Sequence, residues 1–204
     1  NTLFFIANDG TSGFELWKSD GTEIGTVRVK DINPGTSNSS PSGLIDLAGT
    51  LLFSASDPAG GRELWKSDGT EIGTVRVKDI MPGSSSSNPG NLINVGGTLF
   101  FKAFQSGFGY ELWKSDGTEA GTIQVKDIRP GGVASNPSGL TNGNGALYFQ
   151  ADDGSTGIQL WKSDGTEGGT LRVSAPRTGT IGSTPDSFAD VNGTVYFAAN
   201  DGIY

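Results

Sequence analysis

The sequence contains no cysteine and no histidine. Without cysteine there is neither a disulfide framework nor a thiolate metal site. Without histidine the commonest general base and the commonest transition-metal ligand are gone. Charge is also sparse, at 18% of residues, and it is unbalanced: the formal net charge is −8. That balance argues against nucleic acid as a partner, because phosphate binding needs clustered lysine and arginine. Anionic membrane surfaces are disfavoured for the same reason. No apolar run approaches the length of a membrane-spanning helix, so no membrane insertion is expected. The chain opens at Asn1 inside a strand-like pattern, without an initiator methionine or a signal peptide, and so reads as a segment or a processed product.

What the chain has in excess is glycine, 33 of 204 residues, about twice average usage. Such a supply suits many tight turns between short strands. Four tryptophans, Trp17, Trp65, Trp113 and Trp161, stand 48 residues apart (65−17, 113−65, 161−113). Each is followed by Lys-Ser-Asp-Gly-Thr-Glu, and a Gly-Thr pair closes each copy. A fixed period of this length marks a repeat architecture, in which one supersecondary unit leans on its neighbours to bury its apolar faces.

One repeat reads as four short strands in the order A, B, C, D. In the second copy these are Leu44–Ala48, Leu51–Ala55, Arg62–Lys66 and Val75–Ile80, separated by turn residues and lacking helical periodicity. Ser67-Asp68-Gly69-Thr70 is an Asp-Gly turn between C and D. Arg76 and Lys78 on strand D suit an edge strand guarded against edge-to-edge pairing. Strand B is apolar on both faces, as expected between two sheets. The expected fold is therefore all-β, a β-propeller of 48-residue four-stranded blades; a β-solenoid is the structural alternative. The chain is expected to form a single repeat array over 1–204, with blades at about 1–48, 49–96, 97–144 and 145–192 and a surplus partial repeat at 193–204.

The order of strands resembles kelch blades, although the kelch double glycine after strand B is absent. The run Glu-Leu-Trp-Lys-Ser-Asp-Gly-Thr at Glu15–Thr22, Glu63–Thr70 and Glu111–Thr118 resembles the ELWxxDGT repeat family of bacterial secreted and surface proteins; the fourth copy has Gln159 for the glutamate. That resemblance covers nearly the whole chain. It implies extracellular or cell-surface placement, and no activity.

Comparing the copies separates fixed from variable segments. The turns C–D and A–B are fixed. The B–C segments (Asn8–Phe14, Ser56–Arg62, Phe104–Tyr110, Asp152–Ile158) and the D–A segments (Asn33–Ser42, Met81–Gly90, Arg129–Ser138, Pro176–Asp186) vary. In a meander all the variable segments fall at one end of the blades, where recognition is usually hosted.

The recurring residues admit a functional and a structural reading. The tryptophans suit sugar stacking, but a large ring recurring at one strand position suits packing between blades better. Asp20, Asp68, Asp116 and Asp164 are candidate calcium ligands, more simply read as carboxylates capping their own Asp-Gly turns. Asp9, Asp57, Asp152 and Asp153 on the variable face are a better but still weak metal guess, since the third copy has Phe104-Gln105 there, and no metal or other cofactor is expected. The column Asp46, Asn94, Asn142, Asp190 suggests short polar residues lining a central channel. Phe14, Arg62, Tyr110 and Ile158 end the B–C segments, and aromatic and arginine residues are the types enriched at binding hot spots; these are the expected ligand-binding residues.

The expected function is a non-catalytic extracellular module, for adhesion or for binding a glycan or protein through the variable face. A structural or assembly unit of a surface protein or filament is the alternative, and a glycoside hydrolase or other enzyme is ranked below both. Strand B occurs five times against four for A, C and D. The expected partners therefore include further blades of the same chain, or self-association through the terminal strands. Closing a four-bladed ring would place the strand near Phe188 beside Leu3–Ala7.

Overall fold

A computed structural model describes residues 2–174, 177 and 180–203. The fold is all-β, and its unit is the four-stranded antiparallel meander of a propeller blade. The second sheet comprises β4 (Ser42–Leu47), β5 (Thr50–Asp57), β6 (Gly61–Ser67) and β7 (Val75–Lys78), hydrogen-bonded in that order. The third comprises β8 (Gly90–Val95), β9 (Thr98–Gln105), β10 (Gly109–Ser115) and β11 (Ile123–Lys126). The fourth comprises β12 (Ser138–Gly143), β13 (Ala146–Asp152), β14 (Ile158–Ser163) and β15 (Leu171–Ser174). The first sheet holds β1 (Leu3–Asn8), β2 (Phe14–Ser19) and β3 (Val27–Lys30); the last holds β16 (Asp186–Val191) and β17 (Thr194–Ala198). Of the variable segments, Pro176–Asp186 begins outside the described residues. Among the described residues no helix is long and apolar enough to cross a membrane.

The chain divides into two compact units, Asn1–Pro89 with Gly117–Glu119, and Gly90–Asp116 with Ala120–Tyr204. In the first unit, Leu16, Val29 and Ile32 form one core with Leu51, Phe53, Ala55 and Trp65 of the second sheet. In the second unit, Phe100, Leu112, Val125 and Ile128 form the equivalent core with Leu147, Phe149, Ala151 and Trp161. Each core thus joins two successive sheets, which is why strand B must be apolar on both faces. The Lys30 ammonium, donating to the Thr74 carbonyl at 2.8 Å, and Lys126, donating to Thr170 at 3.0 Å, tie the outer strand of one sheet to the next sheet.

Strand A begins two residues earlier than its apolar run suggests, because it is bulged. Ser42 pairs with Ser54, and the register then shifts before Ile45 pairs with Leu52. The same break recurs in β8, β12 and β16. A bulge bends the strand and re-aims the side chains beyond it. The strand near Phe188 is β16, and it pairs with β17. The two strands are joined by the tight turn Asn192–Gly193, so local pairing costs far less loop entropy than a distant one.

Candidate functional site

The fixed end of each sheet is a hydrogen-bonded turn. Gly69 sits at φ 87°, a conformation that glycine alone adopts without strain. Asp68 Oδ1 accepts the Thr70 hydroxyl at 2.7 Å and its amide at 2.8 Å, which holds the carboxyl below the usual range. Thr70 Oγ1 in turn accepts the Gly73 amide at 2.9 Å, and the Thr74 hydroxyl donates to the Thr70 carbonyl at 2.6 Å. A Cβ on Gly73 would lie 2.1 Å from Asp68 Oδ1. The same bonds hold Asp20 and Asp164, and Asp116 packs equally close to Gly121. The aspartates, threonines and closing glycine of the motif therefore recur together because they form one turn.

The polar column closes turns in three copies. Oδ1 of Asp46, Asn94 and Asn142 accepts the amide of Gly49, Gly97 and Gly145 at 2.8, 2.9 and 3.0 Å. A short side-chain acceptor three residues before a turn glycine closes the A–B turn.

The metal candidates on the variable face are also engaged. Asp9 Oδ1 accepts the amides and hydroxyls of Thr11 and Ser12, which depress its carboxyl strongly. Asp57 Oδ1 accepts the Ala59 amide at 2.9 Å, and its Oδ2 lies 3.6 Å from Arg76. Asp152 pairs with Arg129, and Asp153 with Arg172 at 3.2 Å. Among the described residues no group of three or more acidic side chains is placed to hold a metal ion.

The tryptophans lie in the sheets' interior: Trp65, Trp113 and Trp161 are buried, and Trp17 of the three-stranded first sheet is half-buried. The four expected ligand-binding residues each sit at the start of a different strand C. Phe14 and Arg62 belong to the first unit and Tyr110 and Ile158 to the second. Phe14 is 48% exposed and Ile158 37%. Arg62 is not a free surface cation: its guanidinium turns inward and donates to the carbonyls of Ser40 at 2.8 Å and Ser54 at 3.4 Å. A side chain with five donors in a fixed fork satisfies several carbonyls at once, so Arg62 braces strands A and B.

Tyr110 differs. Its ring meets Phe104 edge-on, with centroids 5.4 Å apart, and Lys102 Nζ stands 5.4 Å from the ring centre. Phe104, Gln105 and Tyr110 are half-buried, and Phe108 at the tip of the same B–C loop is exposed. The antiparallel pairing of β9 with β10 places the rings together: Tyr110 is directly opposite Phe104. The result is an aromatic surface bordered by an ammonium and an amide.

The glutamate that opens each motif has a role the sequence did not reveal. Glu63 is fully buried, and its carboxylate accepts the amides of Ile80 and Met81 at 3.2 Å, the Ser87 amide at 2.9 Å and the Ser87 hydroxyl at 2.5 Å. Glu15 and Glu111 do the same to Ser39 and Ser135. Burial pushes all three carboxyls up, against the pull of these hydrogen bonds. In the fourth copy Gln159 Oε1 accepts the Ser183 hydroxyl at 2.6 Å, while its Nε2 donates to the Thr156 and Arg177 carbonyls. The signal was present, as a serine 24 residues after each glutamate, but nothing local connects the two.

No protein-family model and no characterised protein sequence matches the chain. Its sheets are similar to those of solved β-propeller structures. A Bacteroides ovatus xyloglucan protein, GH43B, is 17% identical with a TM-score of 0.43, over 79% of this chain and 35% of that one. This chain thus spans about a third of that protein. An endo-1,4-β-xylanase from Bacteroides thetaiotaomicron is 17% identical (TM-score 0.37, over 85% of this chain and 68% of that one). An α-L-arabinofuranosidase from Clostridium thermocellum is 14% identical (TM-score 0.36, over 96% and 77%).

These neighbours are carbohydrate enzymes by name, and they overturn the expected class. The expectations of a non-catalytic module for adhesion, of a structural or filament unit, and of a chain that is not an enzyme are withdrawn. The sequence ranked catalysis low because its acids recur fourfold, and a repeated residue cannot reveal a specialised one.

Proposed function

We propose that this chain is part of a carbohydrate-active protein, and that Lys102, Phe104, Gln105, Phe108 and Tyr110 form a sugar-facing surface. The observation that carries the reading is the edge-on Phe104–Tyr110 pair with Lys102 at 5.4 Å from the tyrosine ring. A pyranose offers an apolar C–H face and a rim of hydroxyls. An aromatic surface suits the first; the lysine ammonium, the glutamine amide and the tyrosine hydroxyl suit the second. Extracellular or cell-surface placement and kinship with the ELWxxDGT repeat family belong to the same reading, supported by the motif from Glu63 to Thr70 and its copies.

The test is a titration of isotope-labelled protein with neutral xylo-, arabino- and galacto-oligosaccharides, read by amide chemical shifts, with release of reducing ends measured alongside. Binding should perturb Lys102–Tyr110. Tyr110→Ala and Phe104→Ala should each weaken it by about tenfold, the scale of one lost aromatic contact. Perturbations confined to other sheets, or wild-type affinity in both variants, would refute this assignment.

A further inference from the structure

The strand position of Lys102 carries different chemistry from one sheet to the next. It is the residue of strand B that pairs with strand A just ahead of the register shift: Ser54 is opposite Ser42, Lys102 opposite Gly90 and Gln150 opposite Ser138. In the second and fourth sheets the polar groups at this position are satisfied within the sheet. Ser42 Oγ and Ser54 Oγ both accept from the Arg62 guanidinium at 3.3 Å, and Gln150 Nε2 donates to Ser138 Oγ at 2.9 Å.

The third sheet keeps a cation here and drops its acceptors. Gly90 stands where the other two sheets have serine, so no side-chain hydroxyl is opposite Lys102, and Tyr110 stands in the place of Arg62. The positive charge has thus moved from strand C to strand B. Lys102 is half-buried, and its ammonium stands 5.4 Å from the centre of the Tyr110 ring. A ring face attracts an ammonium but does not neutralise it. Among the described residues the Lys102 ammonium meets no hydrogen-bond acceptor and no carboxylate, and the Tyr110 hydroxyl makes no hydrogen bond.

The acid next to Tyr110 in sequence is committed elsewhere. Successive residues of a strand point to opposite faces, so Glu111 lies across β10 from Tyr110, where its carboxylate accepts from Ile128 and Ser135. The B–C loop from Phe104 to Tyr110 contains no acid, and Phe104 stands where the fourth sheet has Asp152. Drawing an ammonium part-way out of water is unfavourable unless an anion faces it. The sheet supplies the rings and the charge but not the counter-charge.

We infer that the ligand brings it: the surface of Lys102, Phe104, Gln105, Phe108 and Tyr110 takes an acidic sugar, a hexuronate unit of an oligosaccharide whose carboxylate pairs with Lys102. This rests on the carbohydrate reading of the same surface and adds the charge of the ligand. The C–H face of the pyranose lies on the aromatic rings. Lys102, a compact charge with three donors on a flexible stem, meets the carboxylate in a charge-assisted hydrogen bond. The Gln105 amide and the Tyr110 hydroxyl are left for the ring hydroxyls. A neutral sugar satisfies the rings and leaves the ammonium unpaired, so it binds more weakly. Lys102 is therefore the residue that sets the preference for charge.

The experiment titrates isotope-labelled full chain with tri-galacturonate and with a glucuronate-bearing xylotriose, each beside its methyl ester, which keeps the rings and removes the charge. At least one acid should shift the amides of Lys102–Tyr110 and bind about tenfold more tightly than its ester, the scale of one charged hydrogen bond. Added salt should weaken the acid and spare the ester. Lys102→Met keeps an apolar stem over the tyrosine; it should bring the acid down to the affinity of the ester and leave the ester unchanged. If neither acid binds more tightly than its ester, or if Lys102→Met keeps the preference, the inference is overturned; esters that still shift Lys102–Tyr110 would then leave the carbohydrate reading standing. Equal shifts with sodium acetate alone would reduce the site to a simple anion contact and also overturn it. If no sugar shifts these amides, both readings fail.

Discussion

Glu63→Ala removes a carboxylate that holds one whole connection in place. Ile80, Met81 and Ser87 would lose the acceptor of their amides, and Ser87, itself fully buried, would also lose the acceptor of its hydroxyl. A buried donor left without a partner costs about 1–3 kcal/mol, so the three buried ones, the Ile80 and Ser87 amides and the Ser87 hydroxyl, imply a gross loss of several kcal/mol. Part is regained, because the variant no longer buries a charge and water can enter the space left by the side chain. The net loss should be about 2–4 kcal/mol, below the gross sum for the stranded neutral donors. Urea midpoints measure the total. Hydrogen exchange at the Ser87 amide tests its origin, since that amide should lose its protection first. Glu71→Ala, at an exposed turn, is the control and should stay within about 0.5 kcal/mol. If Glu63→Ala costs no more than Glu71→Ala, or leaves Ser87 protected, the carboxylate does not staple the D–A segment and the reasoning fails.

The Glu63 carboxyl is raised by burial above its ordinary value of 4.5, so the folded chain binds this proton more tightly than the unfolded chain. Its contribution should therefore fall as pH rises from about 4.5 through the raised value; wild type should lead Glu63→Gln by more at pH 5 than at pH 7, and the opposite trend in urea midpoints would show the hydrogen bonds outweighing burial. Trp65→Ala should cost about 3–5 kcal/mol as a buried truncation, and Trp17→Ala less, because Trp17 is only half-buried; equal losses by thermal melting would contradict the core assignment. Gly73→Ala should lose about 1–3 kcal/mol, the scale of strain and a broken turn, because its Cβ would collide with Asp68; an unchanged melting temperature would show that the turn relaxes freely.

The 48-residue period and the turn chemistry made the blade legible without coordinates. Strand order, the Asp-Gly turn and the apolar B strand all follow from short-range pattern, because strand periodicity and turn geometry are local properties. Contacts between residues distant along the chain lay beyond the sequence. Glu63 reaching Ser87 and Arg62 reaching Ser40 and Ser54 depend on the bulge in β4 and on two loops meeting at one end of a sheet. Hence Arg62 reads as an exposed hot spot in sequence and is a brace in the structure. Tyr110, at the same position of the next repeat, gains its neighbours Phe104 and Lys102 from cross-strand register. The sequence by itself determined the repeat, the class of fold and the fixed turns, since each arises within a few residues. Only the tertiary structure decided which copies of one position are buried braces and which face solvent, because that depends on the side chains that pairing brings opposite.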